Sequence, residues 1–474
     1  MMLIRVVETR FASRSLQTRL PFKFGVQVLK SVRLAELEVV VEAADGRRAT
    51  GRASDLLVPK WFEKNPDSTP EADAAALATS VETAASIACA LGETAGAHAA
   101  FELWSVIHSE HVGARDHHHA DALVRGFGVA MVERGMIDAV ARLAGCPFNQ
   151  ALREGLYGFN PRRLVGEASG WTPDRLPAPS RTIDVRHTVG MLDPLSAAEI
   201  PADQRIDDGL PQALEEDIDA YGLRWFKVKV CGDPVQDAAR LRDVARVVAS
   251  RVPDDARFTL DGNEQCTDLD GFAGMLEDLR SDPDAGPLIE RLVLIEQPLP
   301  RRETFDPAAN SALPRLAALA PVIIDEADTD ADAFRRAIEL GYAGTSIKSC
   351  KGIFRAIANR ALIDVRRGEG VQHLFQSAED LTTLGSIPLQ QDLALQATLG
   401  MTHVERNGHH YFRGLDHLPD AVAAELAGAL PALYRREDGL TRLRIENGTL
   451  SLRGVIDGSG LGGRLGSFQT SETG

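Results

Sequence analysis

Between Thr182 and Asn407 the chain repeats one pattern eight times, a short apolar, β-favouring run followed by a polar or helical stretch. The runs are TIDVRHTVGM, LRWFKVKV, ARFTLDG, RLVLIEQP, LAPVIIDE, GTSIKS, GVQHLFQS and MTHVERN. Segments such as PVQDAARLRDVARVVASRV and DADAFRRAIELG lie between most of them, with apolar residues at helical spacing. Parallel strands need a long crossover, usually a helix, so this rhythm implies a parallel sheet. Eight such units predict an α/β fold, a (β/α)8-type modified TIM barrel over residues 184–414.

The flanks read differently. Residues 1–60 alternate as a small antiparallel sheet, with Asp45-Gly46 as a hairpin turn. FASRSLQTRLPFKFG reads as a polar loop carrying Arg14, Arg19 and Lys23, and DLLVPKWFEKNPDSTP as a second loop with exposed Trp61 and Phe62. From Pro70 to Cys146 the chain turns Ala-rich and helical, closed by Gly145 and Pro147. Residues 151–183 are rich in Pro, Gly and Arg and predict a linker or surface excursion. Beyond Gly414 come a helix, a hairpin turning at Glu446-Asn447-Gly448, and a glycine-rich tail expected to pack back on the N-terminal sheet.

The barrel reading gives the polar residues at the strand ends a common address, because those ends converge at one mouth. In FKVKV, Lys227 and Lys229 are two apart and share a strand face. Burying two ammonium groups side by side is costly unless anions lie opposite. Asp261, Glu296 and Asp325 each end an apolar run, and Lys348 ends the next. From Lys229 to Lys348 the successive separations are 32, 35, 29 and 23 residues, each near one strand–helix unit. Three carboxylates on adjacent strands, flanked by lysines, suit a divalent cation with two bases. Oxygen-only ligands favour Mg2+, with Mn2+ possible. Such a site could stabilise the charge that builds up when a proton leaves the carbon beside a carboxylate.

Composition limits the partners. With 52 basic and 68 acidic residues the formal charge is −16, which excludes a general nucleic-acid binder but not a small anionic substrate. The five cysteines lack CxxC spacing and read as free thiols. No signal-like start and no run near a membrane span are evident, so a cytoplasmic protein with no membrane partner is expected. The Asp116-His117-His118-His119 run reads as a solvated loop.

The order KVK, LDGNE, IEQP, IIDEA, IKSCKG resembles the enolase superfamily, in the branch of the mandelate racemase/muconate lactonizing enzyme family typified by muconate lactonizing enzyme. The resemblance covers most of the chain. It implies an N-terminal α+β capping domain over 1–150, the barrel over 184–414, and a C-terminal segment, 415–474, that returns to the cap. It also implies that Asp261, Glu296 and Asp325 bind Mg2+, that Lys229 and Lys348 are the acid/base pair, and that Lys227 holds the substrate carboxylate and stabilises an enediolate. Loops 14–23 and 56–64 would close over the mouth. Lys348 stands where the mandelate racemase branch expects part of a His-Asp pair, which argues against that branch.

The expected activity is Mg2+-dependent abstraction of the α-proton of a small carboxylate, leading to racemisation or epimerisation, dehydration or cycloisomerisation. Alternatives are a metal- and ligand-binding barrel without turnover, or a metal-dependent carbon–carbon lyase. Asn263 of LDGNE, and Gln376, Ser377, Glu379 and Asp380 of QSAEDLTT, are the expected substrate contacts; Glu379 and Asp380 could instead cap the following helix. Where dipeptide epimerases of this group carry Asp-x-Asp, the eighth strand reads HVERN, which weighs against a dipeptide. His409 and His410 have no assigned part. Family members commonly assemble, so a homo-oligomer is expected.

Overall fold

The computed structural model describes residues 1–25, 27–113, 121–252 and 254–463; the histidine run at 116–119 lies outside the described residues. Three antiparallel strands open the chain in the order β1 (Ile4–Phe24), β2 (Gln27–Ala43), β3 (Arg48–Leu57). The segment expected as a polar loop is instead the second half of β1, paired with β2 as far as Phe24↔Gln27. The reason is alternation: Leu20, Phe22 and Phe24 share one buried face, so the strand pattern runs on past the arginines. Trp61 and Phe62 are also buried, against the expectation of exposure.

Helices α1 (Pro70–Thr94), α2 (Ala100–His111) and α3 (Ala122–Ala144) pack beside this sheet. Thr69 caps α1 by accepting from the Ala72 amide, and Pro70 begins it. By length and composition α1 could cross a membrane, with a mean hydropathy of 1.5 in its most apolar window, which corrects the expectation that no run comes near a span. Here its Leu77, Val81, Ala84 and Ala88 are buried, and it packs on α3 and β1. A short α4 (Phe148–Arg153) follows.

All eight runs become barrel strands: β4 (Thr182–Val189), β5 (Trp225–Lys229), β6 (Arg257–Asp261), β7 (Leu292–Glu296), β8 (Val322–Ile324), β9 (Gly344–Ile347), β10 (Phe375–Ala378) and β11 (His403–Arg406). Neighbours pair in parallel, and β11 pairs with β4 to close the ring. In β5 the alternation is plain. Phe226 and Val228 are fully buried on the helix-facing side, each contributing about 1.5–3 kcal/mol, while Lys227 and Lys229 face the lumen. Between β4 and β5 lies α5 (Leu214–Tyr221), ended by Gly222 in the left-handed region (φ 65°). After β5, Asp233 and Pro234 start α6 (Pro234–Arg251), with the Asp233 carboxylate accepting from the Val235 and Gln236 amides.

Residues 151–183, expected as a linker or surface excursion, are mostly exposed or half-buried but anchored at several buried positions. Trp171 is buried and its indole donates to Asp364 (2.9 Å), tying the segment to the helix after β9. The C-terminal hairpin is β12 (Tyr434–Glu437) with β13 (Leu440–Leu443), one turn earlier than expected. The Asn447-Gly448 turn does form, but the strand after it, β14 (Thr449–Ser451), joins β4 antiparallel at the barrel instead of pairing with β13. The chain then reaches α3, where the Leu461 amide donates to Asp138 (2.7 Å) and Arg142 donates to the Gly463 carbonyl (3.0 Å).

Candidate active site

Register brings the strand-end residues together. Lys229 is level with Asp261, and Asp261 with Glu296, across three adjacent strands. Asp325 and Lys348 immediately follow β8 and β9. Lys229 Nζ donates to Asp261 Oδ2 (2.5 Å). Lys348 Nζ donates to Asp325, which also accepts from Ser346, while Lys351 Nζ stands 3.3 Å from the other oxygen of Asp325. The two lysines of the expected pair therefore sit at opposite ends of one row of three carboxylates.

Lys227 lies one pleat deeper and is fully buried. Its Nζ is 3.0 Å from Asp261, 2.6 Å from Glu296, 2.8 Å from Glu379 and 3.0 Å from Glu405. An ammonium has three protons, so four carboxylates exceed what it can satisfy. The shortfall falls on Glu296, neither of whose oxygens accepts a hydrogen bond. Burial, then the Asp261 and Glu379 charges, push the Glu296 carboxyl well above the ordinary range. Burial would lower Lys227, but the four carboxylates hold it well above its ordinary value. Lys348 is raised likewise by Asp325 and Glu296 against its burial. Burial would raise Asp325, yet Lys348, Lys351 and Lys227 hold it far below. Buried carboxylate oxygens from three adjacent strands fit a hard divalent cation.

A small, partly open cavity is lined by Lys229 and Lys348, with Asn263, Asp380, Thr382, Glu405 and Asn407 beside them and Phe22, Phe24 and Trp61 also on its wall. Lys348 Nζ is 4.6 Å from the centre of the Trp61 ring, a cation–π contact. Two arginines fasten this roof. Arg19 of β1 donates to both oxygens of Asp208 (2.5 and 2.9 Å) and to the Leu210 and Pro211 carbonyls (2.9 and 2.8 Å). Arg301, in the loop after β7, donates to the Trp61 and Phe62 carbonyls (2.7 and 2.9 Å) and to Glu264 (2.7 Å). The backbone around the mouth is strained, with Asn263 (φ 40°), Glu264 (φ 68°), Gln297 (φ 36°) and Thr382 (φ 58°) in the left-handed region. Such residues persist only where the surroundings hold them. Gln297, the glutamine of IEQP, shows how: it accepts from the Asp325 and Ala327 amides (2.8 and 3.1 Å) and so fixes where Asp325 points.

The expected substrate contacts divide. Asn263 and Asp380 line the cavity. Gln376 does not: its side chain turns out of the barrel and donates to the Ala356 carbonyl (2.8 Å), because it occupies the helix-facing phase of β10. Ser377 and Glu379 face inward but below the cavity, where Glu379 binds Lys227 and Arg186 and accepts from Ser377. Neither Glu379 nor Asp380 caps the next helix by a first-turn bond; Asp380 accepts from the Thr383 amide (2.5 Å) and pairs with Arg406 (3.3 Å). Glu405, Arg186, Lys351 and Gln297 belong to the same network and were not singled out from the sequence. For Glu405 a signal existed, since a glutamate at the end of the eighth run faces the same mouth.

A second buried polar cluster lies outside the barrel wall. His187 of β4, Asp217 of α5 and His409, just after β11, bring one ring nitrogen each from the histidines and one carboxylate oxygen within 4.8 Å of one another. His187 Nδ1 is 3.1 Å from His409 Nε2, and His410 Nδ1 is 2.9 Å from Asp217.

Residues 210–463 match the family model described as enolase C-terminal domain-like. No curated protein matches the chain by sequence. Among solved structures, the chain is similar to an enolase from Bradyrhizobium complexed with magnesium and mandelic acid (16% identity, 98% of this chain and 96% of that one, TM-score 0.60). It is also similar to a dipeptide epimerase from Enterococcus faecalis V583 complexed with Mg and the dipeptide L-Leu-L-Tyr (15%, 97% and 99%, TM-score 0.61). A third is muconate lactonizing enzyme from Pseudomonas fluorescens complexed with muconolactone (15%, 98% and 97%, TM-score 0.57).

Proposed function

The chain belongs to the enolase superfamily, in the mandelate racemase/muconate lactonizing enzyme family, and on that premise we propose that it is a Mg2+-dependent enzyme abstracting the α-proton of a small carboxylic acid. The observation that carries this reading is that Lys229 and Lys348 line one small cavity, each tied to the carboxylate at one end of the row. Asp261, Glu296 and Asp325 would hold the cation. When bound, it would draw negative charge from the substrate carboxylate and lower the energy of the enediolate.

The lysines do the proton work. Asp261 and Asp325 now stabilise the two ammonium groups. With Asp325 engaged by a cation, the carboxylate that raises Lys348 would do so less, and the neutral Lys348 amine would be favoured. One lysine would take the proton from the α-carbon on one face. The other would return a proton on the opposite face, or assist a leaving group. Lys227, with four carboxylates around it, keeps its charge and so suits charge stabilisation and carboxylate binding, not proton transfer. Phe22, Phe24 and Trp61 would keep water from the reacting carbon. Mandelic acid, a dipeptide and muconolactone, the ligands of the similar structures, support a small carboxylate as substrate.

Incubating the Mg2+-loaded protein in D2O with sugar acids, amino-acid derivatives and cyclic acids should show exchange of the α-hydrogen by NMR. Exchange that persists in both Lys229→Ala and Lys348→Ala would overturn the assigned roles. Tight acid binding without exchange would indicate a barrel that binds without turnover, and carbon–carbon cleavage a lyase.

A further inference from the structure

The cluster behind the barrel wall is used by none of the chemistry above. His187 and Asp217 are buried (1% and 0% exposed), as is His410 (2%). Among the described residues no lysine or arginine pairs with Asp217; only His187 and His410 reach it, at 3.7 and 2.9 Å. Neither Asp217 oxygen accepts a hydrogen bond of good geometry, and His409 Nδ1 has no partner. Only His410, at 2.9 Å, is close enough to balance this buried carboxylate, and the three imidazoles around it offer neutral nitrogen donors that a cation could use.

The spacing fits one kind of cation. In tetrahedral zinc sites the metal–nitrogen distance of 2.0–2.1 Å places two ligand atoms about 3.3 Å apart. His187 Nδ1 and His409 Nε2 are 3.1 Å apart, hydrogen-bonded to each other here, and an ion between them would replace that bond at nearly the same spacing. We propose that His187, Asp217 and His409 form a binding site for a Zn2+-class transition-metal ion, separate from the carboxylate row at the barrel mouth. Two imidazoles and a carboxylate suit Zn2+ or its neighbours and disfavour Mg2+, which demands oxygen. His410 orients Asp217 or supplies a fourth ligand. The half-buried His409 borders a small cavity lined by Tyr221, Arg406 and Gly408, which gives an ion a way in.

The site ties three elements that seat the roof. Tyr411, next in the same turn, has its ring 4.2 Å from that of Phe22 and donates to Asp193 (2.5 Å), and the His410 carbonyl accepts from Arg19 (3.3 Å). A metal here would lock strand β4, helix α5 and the turn after β11, and so hold Phe22 in place. This inference does not depend on the reaction proposed for the mouth.

The test is a Co2+ titration of chelator-treated protein in excess Mg2+, read by the visible absorption of tetrahedral Co2+. One Co2+ per chain is expected, with the band retained in Asp261→Asn and in a triple His117→Ala, His118→Ala, His119→Ala variant. In Asp217→Asn, and in His409→Gln at the half-buried position, affinity should fall by about 100-fold or more. Far-UV circular dichroism of each metal-free variant establishes that it is folded. No tetrahedral band, or a band that survives Asp217→Asn and His409→Gln but is lost in Asp261→Asn or the triple variant, overturns the proposal.

Discussion

Two adjacent residues of β4 open onto two different chemistries. Arg186 turns into the barrel and binds Glu379, and Thr188, in the same phase, donates to Glu405 (2.7 Å). His187 turns outward and meets His409 and, further off, Asp217. Both Arg186 and His187 are buried to within 1%. Inside, carboxylates are held by lysines and arginines at close range; outside, one carboxylate faces imidazoles alone. The period of two along a strand is enough to sort a hard, oxygen-rich cluster from a nitrogen-rich one at the same depth. Burial alone does not identify a site. What distinguishes the two is the kind of group that holds the carboxylates, ammonium and guanidinium inside and imidazole outside.

The difference is broken most severely at the lysines of the mouth. Lys348→Ala should reduce Mg2+-dependent α-hydrogen exchange by about 10^2–10^4-fold, as expected for a lost general acid or base. Next in size is the central ammonium. Lys227→Met leaves Asp261, Glu296, Glu379 and Glu405 facing one another, and should cost the metal-free protein about 3–5 kcal/mol by urea denaturation.

The two clusters should also fail at opposite ends of the pH scale in chelator-treated protein. Burial would raise Glu379, but Arg186 and Lys227 outweigh it and hold its pKa at about 2, below the ordinary 4.5. Its contribution is therefore complete above pH 4.5 and is lost as the pH falls toward 2. Burial would lower His410, but Asp217 raises it above the ordinary 6.5. That contribution is complete below pH 6.5 and is lost as the pH rises through the folded value. Thermal melting across pH should show Glu379→Gln flattening only the acid limb and His410→Gln only the alkaline one. The smallest effect belongs to Gln376, which faces away from both clusters. Gln376→Leu should cost about 1 kcal/mol for its lost bond to Ala356 and leave exchange unaltered.

Much of this was legible in the chain itself, and the failures have physical causes. The barrel could be read because each unit repeats one pattern, and Lys229, Asp261 and Glu296 because strand ends converge whatever lies between them. The second half of β1 reads as a loop because Arg19 and Lys23 alternate with the buried Leu20, Phe22 and Phe24, and the charges on one face mask the apolar alternation of the other. Gln376 was misplaced because nearness to a strand end does not give the phase of the pleat. The outer cluster joins residues 187, 217 and 409, which only ring closure between β4 and β11 brings together.

The sharpest test is anomalous diffraction from crystals grown with Mn2+ and Co2+ together, recorded at both metal edges. The account predicts a Mn2+ peak bounded by Asp261, Glu296 and Asp325, and a Co2+ peak among His187, Asp217 and His409. Crystals in which Lys229 and Lys348 keep Asp261 and Asp325, with no Mn2+ peak among the three carboxylates, would contradict it.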